Sequence, residues 1–162
     1  MQRETKRKIK VYVISILIPL AVGLLSAWLT RGNMDIYTEL ETPPLSPPSI
    51  LFPIVWTALY ILMGISSAMI WLGRDINPAT ADKGIAVYAL SLAFNFVWSI
   101  IFFNFKWILF SFFWLVALLA LIIATIVFYR KISKPAAYLQ IPYALWVSFA
   151  GYLNIGIWFL NK

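Results

Sequence analysis

The chain has 162 residues, of which 62% are hydrophobic and only 12% charged, with 13 Lys and Arg against 6 Asp and Glu. Soluble domains carry about 25% charged residues, so the composition describes an integral membrane protein. With no Cys and no His, it excludes disulfides, thiolate chemistry and the usual side chains for zinc, copper or axial haem ligation. No cofactor and no metal is expected, and the +7 net charge has to be explained by where the charges sit.

The first apolar segment, about 11–30, follows the basic run "RETKRKIK". It is longer than the ~7–15 apolar residues of a secretory signal core, so it is read as a membrane helix. The segment 31–49 comes next and is rich in proline. Pro43, Pro44, Pro47, Pro48 and Pro53 fix φ and restrict the residues before them, which predicts a stiff loop able to act as a lid. Tyr37 and Leu45 are its candidate apolar contacts, and Pro53 suits the first turn of the helix that follows.

That second helix, about 50–72, carries Trp56, Tyr60, Met63 and Ser67 on one face. The third, about 84–104, aligns Tyr88, Ser91, Asn95, Trp98, Ser99 and Phe102 at ~100° per residue. Gly84, Ala89 and Ala93 form a small-residue pattern of the kind that lets helices approach, a candidate homodimer face. The fourth, about 107–129, offers Trp107, Ser111, Trp114 and Thr125. The fifth, about 136–160, aligns Gln140, Tyr143, Trp146, Ala150 and Asn154, and Pro142 predicts a kink near Tyr138. The first helix has a plainer stripe of Ser15, Pro19, Val22 and Ser26.

Each segment is close to the ~20 residues that cross a hydrocarbon core as helix, and the continuous apolar runs lack the alternation of a barrel strand. The fold class expected is an all-α integral membrane protein: one domain over 1–162, a five-transmembrane-helix bundle with a long proline-rich loop between helices 1 and 2. With the N-terminus inside, ten cations (Arg3, Lys6, Arg7, Lys8, Lys10, Arg74, Lys83, Arg130, Lys131, Lys134) fall on the cytoplasmic side and three (Arg31, Lys106, Lys162) outside. The positive-inside rule thus accounts for the basic excess without nucleic acid, places the N-terminus in the cytoplasm and fits a bacterial cell membrane.

Trp28, Trp71, Trp107 and Trp158 lie at segment ends, where indoles populate the interface. Trp56, Trp98, Trp114 and Trp146 lie deeper and converge with Asn95 and Asn154 in the outer half, beneath the loop. Polar and aromatic stripes serve either helix packing or a pocket, and an apolar, aromatic pocket with a few polar groups suits a flat, greasy small molecule.

Three stretches carry a resemblance: "PPSILFPIVWTALY" from Pro47, "NFVWSIIFF" from Asn95 and "PYALWVSFAGYLN" from Pro142. In this order they resemble the TspO/MBR family of tryptophan-rich sensory and translocator proteins, over nearly the whole chain. The resemblance implies a five-helix bundle whose first long loop closes a pocket for porphyrins such as protoporphyrin IX and for drug-like apolar ligands. It also implies light-dependent porphyrin breakdown at Trp56 and Trp146, and ligand contacts from Tyr37, Pro47, Asn95 and Ala150. Trp98, Tyr143 and Asn154 complete the candidate set from their stripes.

The chain departs from the family's loop pattern at Ile36, Thr42 and Leu45. With Thr42 in place of a basic residue, Arg31 is the remaining candidate partner for a porphyrin propionate, and Met63 the residual one for a metal. A sterol pattern occurs at Val127–Lys131 but on the fourth helix, so sterol transport is not expected. No base, nucleophile or metal constellation for conventional catalysis is present. The expected function is a tetrapyrrole receptor that senses porphyrin level, with photo-oxidative degradation or uncoupled transport as alternatives.

Overall fold

The computed structural model describes residues 2–162, and every long element in it is a helix. Five helical stretches are long and apolar enough to cross a membrane, which makes this a multi-pass membrane protein.

Helix α1 spans Gln2–Thr30 and starts well before the apolar run. Nothing in "QRETKRKIK" breaks a helix, and Glu4 pairs with Lys8 at 3.0 Å across one turn, so the basic N-terminal stretch continues the membrane helix as an exposed extension. After a turn and the short α2 (Ile36–Glu39), the chain runs without regular structure to α3 (Leu51–Leu72). Pro53 falls within the first turn of α3, where its missing N–H costs least.

Helix α3 gives way to a 3-10 turn at Arg74–Ile76, and α4 (Pro78–Ser99) begins with Asn77 as N-cap, its side chain accepting from the Thr80 amide at 3.1 Å. The start lies six residues earlier than the apolar pattern suggested, because the cap and Pro78 set it. A π-helical segment, Ile100–Asn104, prolongs α4. The chain then turns through Lys106, whose φ is +55°, into α5 (Ile108–Arg130).

The fifth crossing is split. Helix α6 (Lys134–Leu139) is capped by Ser133, and α7 (Ile141–Leu160) restarts after Gln140 with Pro142 in its first turn. The expected kink near Tyr138 is therefore a break two residues on, as follows from a proline that cannot donate to the preceding turn.

Helix α1 packs on α3, α3 on α6, the α6–α7 pair on α5, α5 on α4, and α4 back on α1. The ring of crossings closes without following chain order. Glycine permits the tightest contacts. A Cβ on Gly84 would stand 3.1 Å from Phe128 Cβ and from the Tyr129 ring, so α4 and α5 meet there. Gly84 thus lies inside the subunit, and of the three residues expected at a dimer face only Ala89 and Ala93 are on the outside.

Candidate functional site

The two ends of the bundle are built differently. Toward the α3–α4 and α5–α6 connections the interior is dense: Met63, Ile70, Leu118, Ile122 and Tyr129 are fully buried. Gln140 donates to Ser66 Oγ at 3.1 Å, and that hydroxyl donates to the Ala136 carbonyl at 2.7 Å. This polar lock holds α3 against α6.

Toward the other end, beneath residues 31–50, the helices enclose a cavity of about 290 Å³. Trp56 and Tyr60 from α3 form one wall, their rings stacked with centroids 5.6 Å apart. Asn95 and Trp98 from α4 form the facing wall, and Asn95 Nδ2 donates to the Tyr60 hydroxyl at 2.9 Å. That bond fixes the amide and leaves its carbonyl oxygen as an acceptor. The π-helical turn brings two successive residues, Phe102 and Phe103, to the lining. Ala150 and Asn154 of α7 form a further wall, and Asn154 Nδ2 donates to Ser111 Oγ of α5 at 2.8 Å.

The segment above is fastened at several points. The Tyr37 hydroxyl donates to the Pro47 carbonyl at 3.4 Å, and the Tyr37 ring meets Phe52 edge-on at 5.0 Å. The Tyr152 hydroxyl donates to the Pro44 carbonyl at 2.7 Å. Asn161 bonds both backbone polar groups of Glu41, accepting from its amide at 3.0 Å and donating to its carbonyl at 2.8 Å. Gly156 leaves room for the buried Pro43, whose ring a Cβ there would strike. At the other edge, Asn104 donates to the Leu29 carbonyl at 3.3 Å and accepts from Asn33 at 2.9 Å. Residues 41–44 are thereby tied to α7 and to Asn161 just beyond it, and the end of α1 to the π-helical turn.

Of the residues singled out in the sequence, Tyr37, Trp56, Asn95, Trp98, Ala150 and Asn154 line this cavity together. The other three stand just outside the lining. Tyr143 is fully buried and supports Trp56 edge-on at 6.1 Å. Trp146 lies behind Phe52 at 5.9 Å, and Pro47 holds Tyr37 through its carbonyl.

Three further residues lie off the cavity lining. Leu45 is 84% exposed with φ at +69°, so it points away from the cavity that Tyr37 faces. Arg31 is exposed and lies over the Trp28 ring at 5.3 Å, outside the lining. Trp114 stacks on Phe94 with centroids 4.4 Å apart and donates to the Phe94 carbonyl at 2.8 Å, so of the two roles open to a deep tryptophan it takes packing, as a tie between α5 and α4.

Helix α1 contributes more than its plain stripe suggested, since Leu20, Gly23, Leu24, Ala27 and Thr30 also reach the cavity. The signal was present as the spacing of small residues Gly23, Ser26, Ala27 and Thr30, a single helical face. Phe52 was likewise visible only as a motif position.

Comparison with known proteins agrees with this architecture. The TspO/MBR family model matches residues 15–159. The chain is 38% identical over 143 residues to a "Tryptophan-rich protein TspO" of Chlorobaculum tepidum, covering 88% of this chain and 90% of that protein. It is 36% identical over 149 residues to the "Translocator protein" of Bos taurus, covering 90% and 87% respectively. It is also 36% identical over 125 residues to "Protein CrtK" of Rhodobacter capsulatus, covering 77% and 78%. A match of this extent, on a bundle of five crossings, establishes that the chain belongs to the TspO/MBR family.

Proposed function

We propose that the protein is a membrane receptor for tetrapyrroles of the protoporphyrin IX type and for other flat apolar ligands, and that it acts as a sensor of porphyrin level. The observation carrying this reading is the cavity itself: aromatic and apolar walls from α1, α3, α4 and α7, a few amides and hydroxyls, and a pinned covering segment. In the binding mode proposed, the Trp56 indole lies against the macrocycle and Asn95 Oδ1 accepts from a polar edge such as a pyrrole N–H. Tyr37 covers the ligand from above, while Tyr143 and Trp146 position Trp56 and Phe52. Pro47 keeps Tyr37 in place.

Among the described residues that line the cavity none is charged, so ligand carboxylates would be accommodated at the mouth, in contact with water or headgroups. The proline-rich stretch 31–49 serves as the lid, with the N-terminus cytoplasmic and the lid outside, in the cell membrane of a bacterium. A homodimer would use the exposed Ala89 and Ala93 without Gly84.

The test is a titration of purified protein with protoporphyrin IX in the dark, followed by tryptophan fluorescence. Saturable quenching is expected, weakened in Trp56→Ala and Asn95→Ala. Quenching without saturation in the intact protein would refute the receptor reading.

A second reading, photo-oxidative loss of the bound porphyrin, is favoured by Trp56 at the cavity wall, with its ring in contact with Tyr60 and Tyr143. Under light, Trp56→Phe is expected to slow loss of porphyrin absorbance more than Trp146→Phe, because Trp146 is separated from the cavity by Phe52. Equal bleaching by both variants and the parent would leave the tryptophans without this role.

A further inference from the structure

The walls of the cavity are not equally closed. On α4 and α7 every described lining residue is buried or partly buried, including Asn95, Ser99, Phe103, Ala150 and Asn154. The exposed lining residues lie elsewhere: Leu24 and Ala27 on α1, Pro53 and Thr57 on α3, and Met34 and Ser49 at the two ends of the connecting segment. They border a single slot between α1 and α3.

The slot has a floor. A Cβ on Gly23 would run into the Tyr60 ring, and one on Gly64 would meet the backbone at Ile16, so the two helices touch from Tyr60 toward the far end. Above that contact, lining residues of both helices, Leu24 and Ala27 on α1 and Pro53 and Thr57 on α3, are open to the outside. Leu24, 72% exposed, precedes the end of α1 by six residues, which at a rise of 1.5 Å per residue puts the slot about 9 Å into the helix. The corresponding depth on α3, from Leu51 to Thr57, is also about 9 Å. A slot of this depth opens at the level of acyl chains as well as headgroups. The top, by contrast, is stitched by Asn161, Tyr152 and Asn104.

We infer that ligands enter and leave the cavity sideways, from the lipid leaflet on the lid side, through the slot between α1 and α3 bordered by Leu24, Ala27, Pro53 and Thr57. The inference rests on reading the cavity as a ligand site, and it selects ligands that are planar, uncharged over most of their surface and dissolved in the bilayer. The covering segment then acts as a fixed roof. Exchange does not require it to lift, and charged water-soluble molecules have no direct path.

The chain has no cysteine, so a single introduced thiol reports access without reference to any natural ligand. Ser99 lines the cavity from α4, across from the slot. In the full chain, reconstituted in phosphatidylcholine nanodiscs, Ser99→Cys is expected to react with bilayer-dissolved N-(1-pyrenyl)maleimide. Filling the slot by Ala27→Trp or Thr57→Trp should slow that reaction about tenfold, each variant acting alone. Leu145→Trp, at an exposed position on α7, should not.

Stapling the roof through Glu41→Cys and Asn161→Cys with a charged, water-soluble bifunctional reagent before exposing the Ser99→Cys thiol should leave the rate within about twofold of the unstapled protein. Unchanged labelling in both slot variants, a stapled roof that blocks labelling, or no labelling of Ser99→Cys at all would each overturn the inference. Failure of protoporphyrin binding would not, since the labelling reads only the route.

Discussion

The far end of the bundle and the end beneath the roof use the same residue types for opposite purposes. In the far half, Tyr88 and Tyr129 approach with ring centroids 6.3 Å apart and fill the space between α4 and α5, while Gly84 draws those helices together. In the near half, several large rings are held back by a contact with a neighbour: Trp114 to the Phe94 carbonyl, Tyr60 to Asn95, Trp56 against Tyr143. Space remains because the aromatic side chains are braced against the walls. Packing, and not hydrophobicity, separates the dense half from the half that holds the cavity.

If the two ends are independent, damage to the dense half alone should leave the cavity intact. Tyr129→Ala removes a fully buried ring and is expected to cost about 3 kcal/mol or more, as for other aromatic truncations in packed interiors. Thermal unfolding in detergent should show the loss, while protoporphyrin affinity per folded molecule stays close to that of the parent. An equal loss of affinity would mean that the halves are one unit.

Asn95→Leu tests the joint between the halves. It leaves the Tyr60 hydroxyl buried without the 2.9 Å bond from Asn95, a cost of about 1–3 kcal/mol. It also removes the proposed ligand acceptor. Stability and affinity should therefore fall together, and rescue of stability by the added change Tyr60→Phe, with affinity still low, would separate the two contributions.

Trp56→Ala is the converse of Tyr129→Ala. Its ring is only partly buried and faces the cavity, so stability should change by less than in Tyr129→Ala. Protoporphyrin affinity should drop about tenfold, the equivalent of about 1.4 kcal/mol of lost stacking. A variant that binds as well as the parent would move the ligand to another part of the cavity.

Five crossings were legible because hydropathy and length are properties of the chain alone. The break before α7 was legible too, since Pro142 cannot donate whatever surrounds it. The paired walls Trp56 and Asn95 could be read from helical periodicity. What periodicity cannot supply is which neighbour a face meets. Trp114 has the depth of a cavity residue, but its indole finds the Phe94 carbonyl on α4. Gly84 belongs to a small-residue pattern, but the ring it admits is Tyr129 of the same chain.

The π-helical turn at Ile100–Asn104 has no marker in its sequence. Its Asn104 is bonded to Leu29 and Asn33, partners more than seventy residues away. Likewise α1 looked plain because Gly23 and Ala27 contribute by being small, leaving room without offering a functional group. Leu45 illustrates the reverse error, an apolar residue whose left-handed backbone turns it outward.

The smallest expected effect concerns the fastening of the roof. Asn161→Ala removes two hydrogen bonds to Glu41. Both are exposed, so together they contribute no more than about 1–2 kcal/mol. Because Tyr152 still holds Pro44, the cavity should survive, and protoporphyrin affinity should fall by no more than about threefold. The proline-rich stretch itself should respond more clearly. Limited proteolysis between Glu39 and Ser46 is expected to accelerate, since local opening there no longer has to break the Glu41 pair. A further change, Tyr152→Phe, should add to the acceleration. If the double variant is cut no faster than the parent, the prolines alone hold the roof, and its hydrogen bonds to α7 follow from that stiffness instead of causing it.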